Sequence, residues 1–286
     1  MPTIQWYPGH ISKAEKQLKE QLKRVDVVLE VLDARIPLAS HHPQIPQWIG
    51  EKPRILVINR VDMIPDFVRQ KWLNWFEQNN ETAYFTNAKQ GTGVKVIHKV
   101  AQKTGVAMNQ RRRDRGMKPR PVRAVVIGLP NVGKSALINR LLGRKIVASA
   151  RRAGVTRQLR WVRISDTIEL LDSPGVIPGR LENQKNAAKL AICEDIGEAA
   201  YDNQEMAATL VDLLVELNFE QILPSRYQID PLEMTGEEFV HTLGYERYQG
   251  DVERAALQLL NDFRKGLMGA IPLEFPPEIS KKSNQV

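Results

Sequence analysis

Apolar residues recur along this chain with two periods, and the way the periods alternate predicts the fold class. Val25-Asp26-Val27-Val28-Leu29-Glu30-Val31-Leu32-Asp33 is β-rich and mostly apolar at odd and even positions alike, the pattern of a strand buried on both faces inside a parallel sheet. Arg54 to Ile58, Tyr84-Phe85, Val122 to Ile127 and Ile168-Glu169-Leu170-Leu171 repeat it, and a further strand is expected about Trp161. Between these runs the period lengthens. Ile11, Ala14, Leu18, Leu22 and Val25 fall three and four apart, which predicts a helix over about 12–24 with Lys13, Lys16, Lys19 and Lys23 on its other side. Ser12-Lys13-Ala14-Glu15 matches the capping box that would start it. Residues 66–80 read as a helix whose Phe67, Trp72, Trp75 and Phe76 belong to the core. Strands alternating with helices through residue 180 predict an α/β domain. From about Asn186 the pattern is helical only: Met206, Leu210, Leu213, Leu214 and Leu217 behind an Asp202 cap, a second cap at Thr235-Gly236-Glu237-Glu238, and a helix over 251–267. Residues 181–286 are therefore expected to form a separate all-α domain, with a loosely ordered tail from Pro276.

Charge sharpens this division. Residues 1–180 carry 32 Lys and Arg against 14 Asp and Glu, a net of +18, whereas 181–286 carry 9 against 19, a net of −10. The two halves call for different partners. Two segments concentrate the positive charge. Lys103 to Arg123 holds eight basic residues and one acidic, including Arg111-Arg112-Arg113-Asp114-Arg115, and reads as a loop; Arg144 to Arg163 adds seven basic residues and no acidic one. Such a field calls for a polyanion, and RNA is the expected partner. Trp161, between basic residues, is expected to be packed rather than stacked on a base. The lone Cys193 excludes an internal disulfide framework and fits a buried thiol in a reducing compartment. With no run of about 18 apolar residues and no signal-like amino terminus, a cytoplasmic location and no membrane span are expected.

Candidate chemistry centres on Gly128-Leu129-Pro130-Asn131-Val132-Gly133-Lys134-Ser135, which fits G-x-x-x-x-G-K-[ST] and follows an apolar strand. In such a loop backbone N–H groups from Asn131 through Ala136 cradle phosphates, Lys134 reaches the β and γ oxygens, and the Ser135 hydroxyl ligates Mg²⁺. Asn59-Arg60-Val61-Asp62 follows another buried strand and resembles the guanine-reading motif, in which the Asp62 carboxylate accepts from the ring N–H and exocyclic amine that adenine lacks. One strand–helix unit later, Asn87-Ala88 is placed to present the Ala88 N–H to the guanine carbonyl. Thr156, twenty-one residues after Ser135, is a candidate to complete the Mg²⁺ shell. Asp172-Ser173-Pro174-Gly175 is a D-x-x-G motif, with Asp172 toward the metal and the Gly175 N–H toward the γ-phosphate.

The order of these motifs is unusual. An ordinary small GTPase presents phosphate loop, switch threonine, D-x-x-G and then the base-reading loops; here the base-reading loops come first, which amounts to a circular permutation. With Tyr7-Pro8-Gly9-His10 and Asp33-Ala34-Arg35-Ile36-Pro37, the chain resembles the YlqF/RbgA family of circularly permuted ribosome-assembly GTPases over nearly its whole length. The resemblance implies a permuted P-loop domain over 1–180, with a mostly parallel six-stranded sheet and flanking helices, then a small all-α domain over 181–286. It implies binding of GTP and GDP with Mg²⁺, and a large ribosomal subunit precursor and its rRNA as partners, with nucleotide state governing association. A monomer is expected. By resemblance to potassium-activated GTPases that carry an asparagine at this place, Asn131 implies K⁺ as a further ligand. The chain departs from the pattern at Arg60, where lysine is usual, and Val176 follows Gly175 where many GTPases place a water-orienting glutamine. The resemblance points to His10 for that task, beside Lys134 and Thr156 as catalytic residues. Two alternatives stay open on sequence grounds: a GTP-dependent RNA-binding scaffold with little turnover, and a P-loop nucleotide kinase, against which Asp62 argues.

Overall fold

A computed structural model describes residues 11–143, 160–172, 183–197 and 200–278. Among them, six strands form one sheet: β1 (Val27–Asp33), β2 (Arg54–Asn59), β3 (Ala83–Thr86), β4 (Val122–Ile127), β5 (Arg160–Ser165) and β6 (Ile168–Asp172). Their order is β3-β2-β1-β4-β6-β5, parallel except for β5, which runs antiparallel to β6 at the edge. All seven residues of β1 are buried, as the unbroken apolar run predicted. Its one internal charge, Glu30, is satisfied by His41 Nδ1 at 2.6 Å and Arg54 Nη1 at 2.9 Å.

Helices cover both faces. The side chains of Val27, Leu29, Val31, Ala124 and Val126 meet Val94, Ile97 and Ala101 of α4 (Val94–Asp114) and Leu137 and Ile138 of α5 (Lys134–Leu142). On the opposite face Val28, Val125, Ile127 and Leu171 pack under α1 (Ile11–Leu22) and α2 (Ile45–Ile49), while Leu56 and Ile58 pack under Val68, Trp72 and Phe76 of α3 (Asp66–Gln78). The carboxy-terminal half supplies α6 (Gln184–Ile192), α7 (Asn203–Glu216), α8 (Ile222–Tyr227), α9 (Gly236–Tyr248) and α10 (Val252–Lys265). Two of these start on the residues expected to cap them, Asp202 and Thr235 with a complete capping box, and α10 is capped by Asp251.

Several expectations are corrected. Residues 103–114 continue α4 rather than forming a loop, because Val94, Ile97, Ala101 and Gly105 keep a buried stripe and the last-turn Arg111, Arg112 and Arg113 lie where a helix C-terminus favours cations. Helix α1 already includes Ile11, so Ser12 stands inside it and not at its cap. Phe67 is 53% exposed and lies against the Phe275 ring, not in the core. Trp161 is 37% exposed, although it pairs across the sheet with the buried Leu171. One cluster of buried apolar residues includes those beneath α4 and Ala187, Ala191 and Ile192 together with residues of α7, α9 and α10. The expected boundary at 180/181 falls outside the described residues, as do 279–286 of the tail.

From β1 the chain steps outward through β2 to β3, then returns to the other side of β1 with β4. The loops after β1 and β4 therefore lie at the switch point of the sheet, where open α/β folds bind ligands at the carboxyl ends of strands.

Candidate nucleotide site

The loop after β4 needs its glycines. Gly128 has φ of +148°, and a Cβ there would stand 2.3 Å from the Val31 carbonyl oxygen of the neighbouring strand. Gly133 has φ of +101°, and its Cβ would stand 2.1 Å from Asn59 Nδ2. Between them Asn131 adopts a left-handed φ of +58°. The chain then enters α5 with Gly133 as its cap, so the first N–H groups of the helix and the positive end of its dipole face the loop. Lys134 is 7% exposed, and its ammonium donates to the carbonyls of Leu129 at 2.7 Å and Gly128 at 3.2 Å. Ser135 and Ala136 are half-buried in the first turn of α5.

The base-reading segments are hydrogen-bonded to this loop. Asn59 Nδ2 donates to the Val132 carbonyl at 2.8 Å, while Asn59 Oδ1 accepts from Ala88 N at 3.0 Å and Thr86 Oγ1 at 3.2 Å. One buried amide thus ties the phosphate loop to the turns after β2 and β3. This corrects the role expected for Ala88: its N–H is spent on Asn59, since a donor buried to this degree needs a partner within the protein. Arg140 of α5 donates to the carbonyls of Ala88, at 3.2 Å, and Lys89. Arg60, with φ of +65°, donates through Nη2 to the Asn131 carbonyl at 2.7 Å and sets Nε 3.4 Å from Asp33 Oδ2. The planar fork spans both groups, a geometry that a lysine ammonium does not reproduce. Beyond it Val61–Met63 make a single 3₁₀ turn with Asp62 exposed, as a side chain reading a ligand must be.

Beneath the site lies a buried ionic layer that the sequence did not reveal. The Asp33 carboxylate accepts from Arg35 Nε at 3.0 Å and Nη2 at 2.8 Å, both side chains fully buried. Burial opposes its charge, but Arg35 and Arg60 outweigh burial and hold its carboxyl below the usual range. Asp195 is equally buried, with no hydrogen bond to either carboxylate oxygen among the described residues. Burial first, then the charge of Asp33, pushes its carboxyl well up. Residues 271–274 close over the layer. Ile271 N donates to the Met63 carbonyl at 2.8 Å, Leu273 N to that of Arg35 at 2.9 Å, and Glu274 accepts from Leu38 N at 2.9 Å and Lys189 Nζ at 3.3 Å. Nothing in the composition of this segment marked it as part of the site.

His10, Thr156 and Gly175 lie outside the described residues, as does the side chain of Asp172, whose backbone ends β6 beside Val126 of β4. The structure therefore brings together Asn59, Arg60, Val61, Asp62, Asn87, Ala88 and the loop from Asn131 to Ala136. Among the described residues no group of three or more His, Cys, Asp or Glu could hold a metal. A hydroxyl such as that of Ser135, at the entrance of α5, suits Mg²⁺, which takes one or two protein ligands and completes its shell from phosphates and water.

Comparison with known proteins agrees with this geometry. A family model described as a 50S ribosome-binding GTPase matches residues 123–237, beginning in β4 and leaving out the base-reading turns that precede it here. Ribosome biogenesis GTPase A of Bacillus cereus is 32% identical over 99% of this chain and 97% of its own length. The Priestia megaterium protein of the same name is 34% identical over 96% of this chain and 98% of its own. A crystal structure of GNP-bound YlqF from T. maritima shares the fold, with a TM-score of 0.64 at 23% identity, covering 93% of this chain and all of the other. Among the described residues no helix is long and apolar enough to cross a membrane.

Proposed function

The chain belongs to the ribosome biogenesis GTPase A family, a family of GTPases in ribosome biogenesis, and from that premise we propose that it binds the large-subunit precursor through rRNA, promotes late assembly, and couples GTP hydrolysis to release. The observation that carries the nucleotide part is the Asn59 amide, which joins phosphate loop and base-reading turns into one site. Support for the RNA part comes from the +18 charge of residues 1–180 and from the exposed end of α4, where Arg111, Arg113, Arg115 and Lys118 face solvent.

In this reading Asp62 selects guanine and Lys134 leaves the Gly128 and Leu129 carbonyls to meet phosphate oxygens. Ser135, Thr156 and Asp172 hold Mg²⁺, which neutralises charge developing on the phosphates. The Asn131 amide donates to the Glu194 carbonyl at 2.6 Å, which orients its oxygen, and that oxygen is the candidate ligand for K⁺. Equal rates in Na⁺ and K⁺ would remove that ligand. His10 takes the place of the glutamine that Val176 does not supply, orienting the attacking water when the particle is bound.

Cosedimentation with large ribosomal subunits in GTP-analogue, GDP and nucleotide-free states tests the proposal, with retention expected in the GTP-analogue state only. Retention independent of nucleotide would overturn it. In the same preparation His10→Ala is expected to keep GTP affinity and lose about 10²-fold of subunit-stimulated hydrolysis. Absence of any stimulated turnover in the unaltered protein would favour the scaffold reading instead.

A further inference from the structure

We propose that Trp161 is a stacking platform for an unpaired base of RNA, an inference that rests on the RNA partner proposed above and names what the protein grips. A tryptophan on a strand between basic residues is expected to pack inward, yet this ring is 37% exposed, although its cross-strand partner Leu171 is buried. Its ring contact is a cation: the Arg123 guanidinium lies over it with Cζ 5.6 Å from the ring centroid. The arrangement follows from register. Trp161 pairs with Leu171 and Arg163 with Glu169, while β4 sets Arg123 against Glu169 and Val125 against Leu171, so Trp161, Arg163, Glu169 and Arg123 share one face with the buried Leu171 and Val125, with Trp161 and Arg163 on the edge strand.

The cations of this face are available. Arg123 meets Glu169 at 3.4 Å with its side chain 42% exposed, and Arg163 meets the almost fully exposed Asp166. Exposed pairs of this kind contribute about 0–1 kcal/mol, so a phosphate can replace either carboxylate at small cost. A protein-docking patch would surround the indole with further apolar surface, but its exposed neighbours on this face are arginines and a glutamate. One indole among guanidiniums is the composition of a site that stacks a base and holds the adjoining phosphates. The base must be unpaired, because in a duplex its faces are already covered by its neighbours.

The test uses the full chain with a short single-stranded RNA carrying 2-aminopurine, and the same sequence as a duplex, over a range of salt. Binding is expected to quench 2-aminopurine. Trp161→Ala should remove the quench and weaken single-strand binding about tenfold, with the salt slope and duplex binding unchanged, since stacking releases no counterion. Trp161→Phe should retain most of both signals, and Trp161→Leu should behave as the alanine variant does. Replacing Arg111, Arg113 and Arg115 together by Gln should instead flatten the slope by about 0.7 per lost contact and leave the quench of bound RNA intact. If Trp161→Ala changes neither affinity nor quench while the arginine variant flattens the slope, the platform is wrong and the RNA partner stands. If neither variant alters RNA binding, the RNA partner itself fails. If Trp161→Ala weakens association with ribosomal subunits but not with RNA, the ring meets a ribosomal protein and the proposal is overturned.

Discussion

Asn59 shows what a single side chain does in this site. Its two amide atoms serve the phosphate loop and the turn after β3 at once, and Gly133 is glycine partly because Asn59 Nδ2 occupies the place of its Cβ. Asn59→Asp keeps size and shape but sets an acceptor against the Val132 carbonyl in a buried place. The expected result is a loss of about 1–3 kcal/mol in urea unfolding together with at least about tenfold weaker GTP binding by calorimetry. Normal affinity in the variant would mean that the bond does not organise the site. At this scale the sequence was informative about identity and less so about role. The motif marked Asn59 and Asp62, which the structure sets beside the phosphate loop, but that Ala88 gives its N–H to Asn59 depends on burial, which four residues of sequence do not disclose. Arg60 looked like a simple departure from lysine; only its reach to both Asn131 and Asp33 shows that the planar group is used. Asp195 gave no signal because its surroundings come from β1, β2 and the phosphate loop.

Among the elements, α4 is where composition misled. Eight basic residues in 103–123 read as a loop since charge runs usually are, but the apolar stripe needs only Val94, Ile97, Ala101 and Gly105, all in the first twelve residues of the helix. Beyond Gly105 the helix no longer needs burial and presents its arginines to solvent. Gly105 is the pivot: a Cβ there would stand 2.0 Å from Val122 Cγ2 at the start of β4. Helix propensity alone favours alanine here by about 1 kcal/mol. Overpacking against a β-branched side chain on a central strand opposes it by about 1–3 kcal/mol. Gly105→Ala is accordingly expected to destabilise by about 1 kcal/mol, read from the urea midpoint at constant m-value, and the paired change with Val122→Ala should recover helix content and shrink the penalty. A stabilised single variant would show that α4 can shift away from β4. The positions of the strands and the caps of α7 and α9 were legible because both depend on local pattern, whereas strand order and the return of residues 271–274 to the site depend on backbone pairing across the whole chain.

For the molecule as a whole, the question is how the helical half meets the nucleotide site, and the answer lies at the end of α6. A helix leaves its last carbonyls without partners. Here they are met from three directions: Arg264 of α10 donates to Ala191 and Ile192, Arg35 to Cys193, and Asn131 of the phosphate loop to Glu194. The next residue is Asp195, buried with both oxygens unpartnered in the described structure, facing Asp33, Arg35, Arg60 and Lys134. This junction is where the helices touch the site. Asp195 makes the junction testable by pH. A carboxyl whose folded-state pKa is raised lends its full stability below its unfolded value, about 3.9, and that contribution is lost as pH rises toward the folded value. Asp195→Asn removes the titration while keeping the shape. The variant should match the unaltered protein near pH 4 and exceed it by on the order of 1 kcal/mol at pH 8, or roughly 2–4 °C in Tm for a chain of this size. A variant that loses stability at pH 8 would mean that Asp195 is ionised and that Arg60, Arg35 and Lys134 hold its charge, with the junction then a salt bridge rather than a protonated contact.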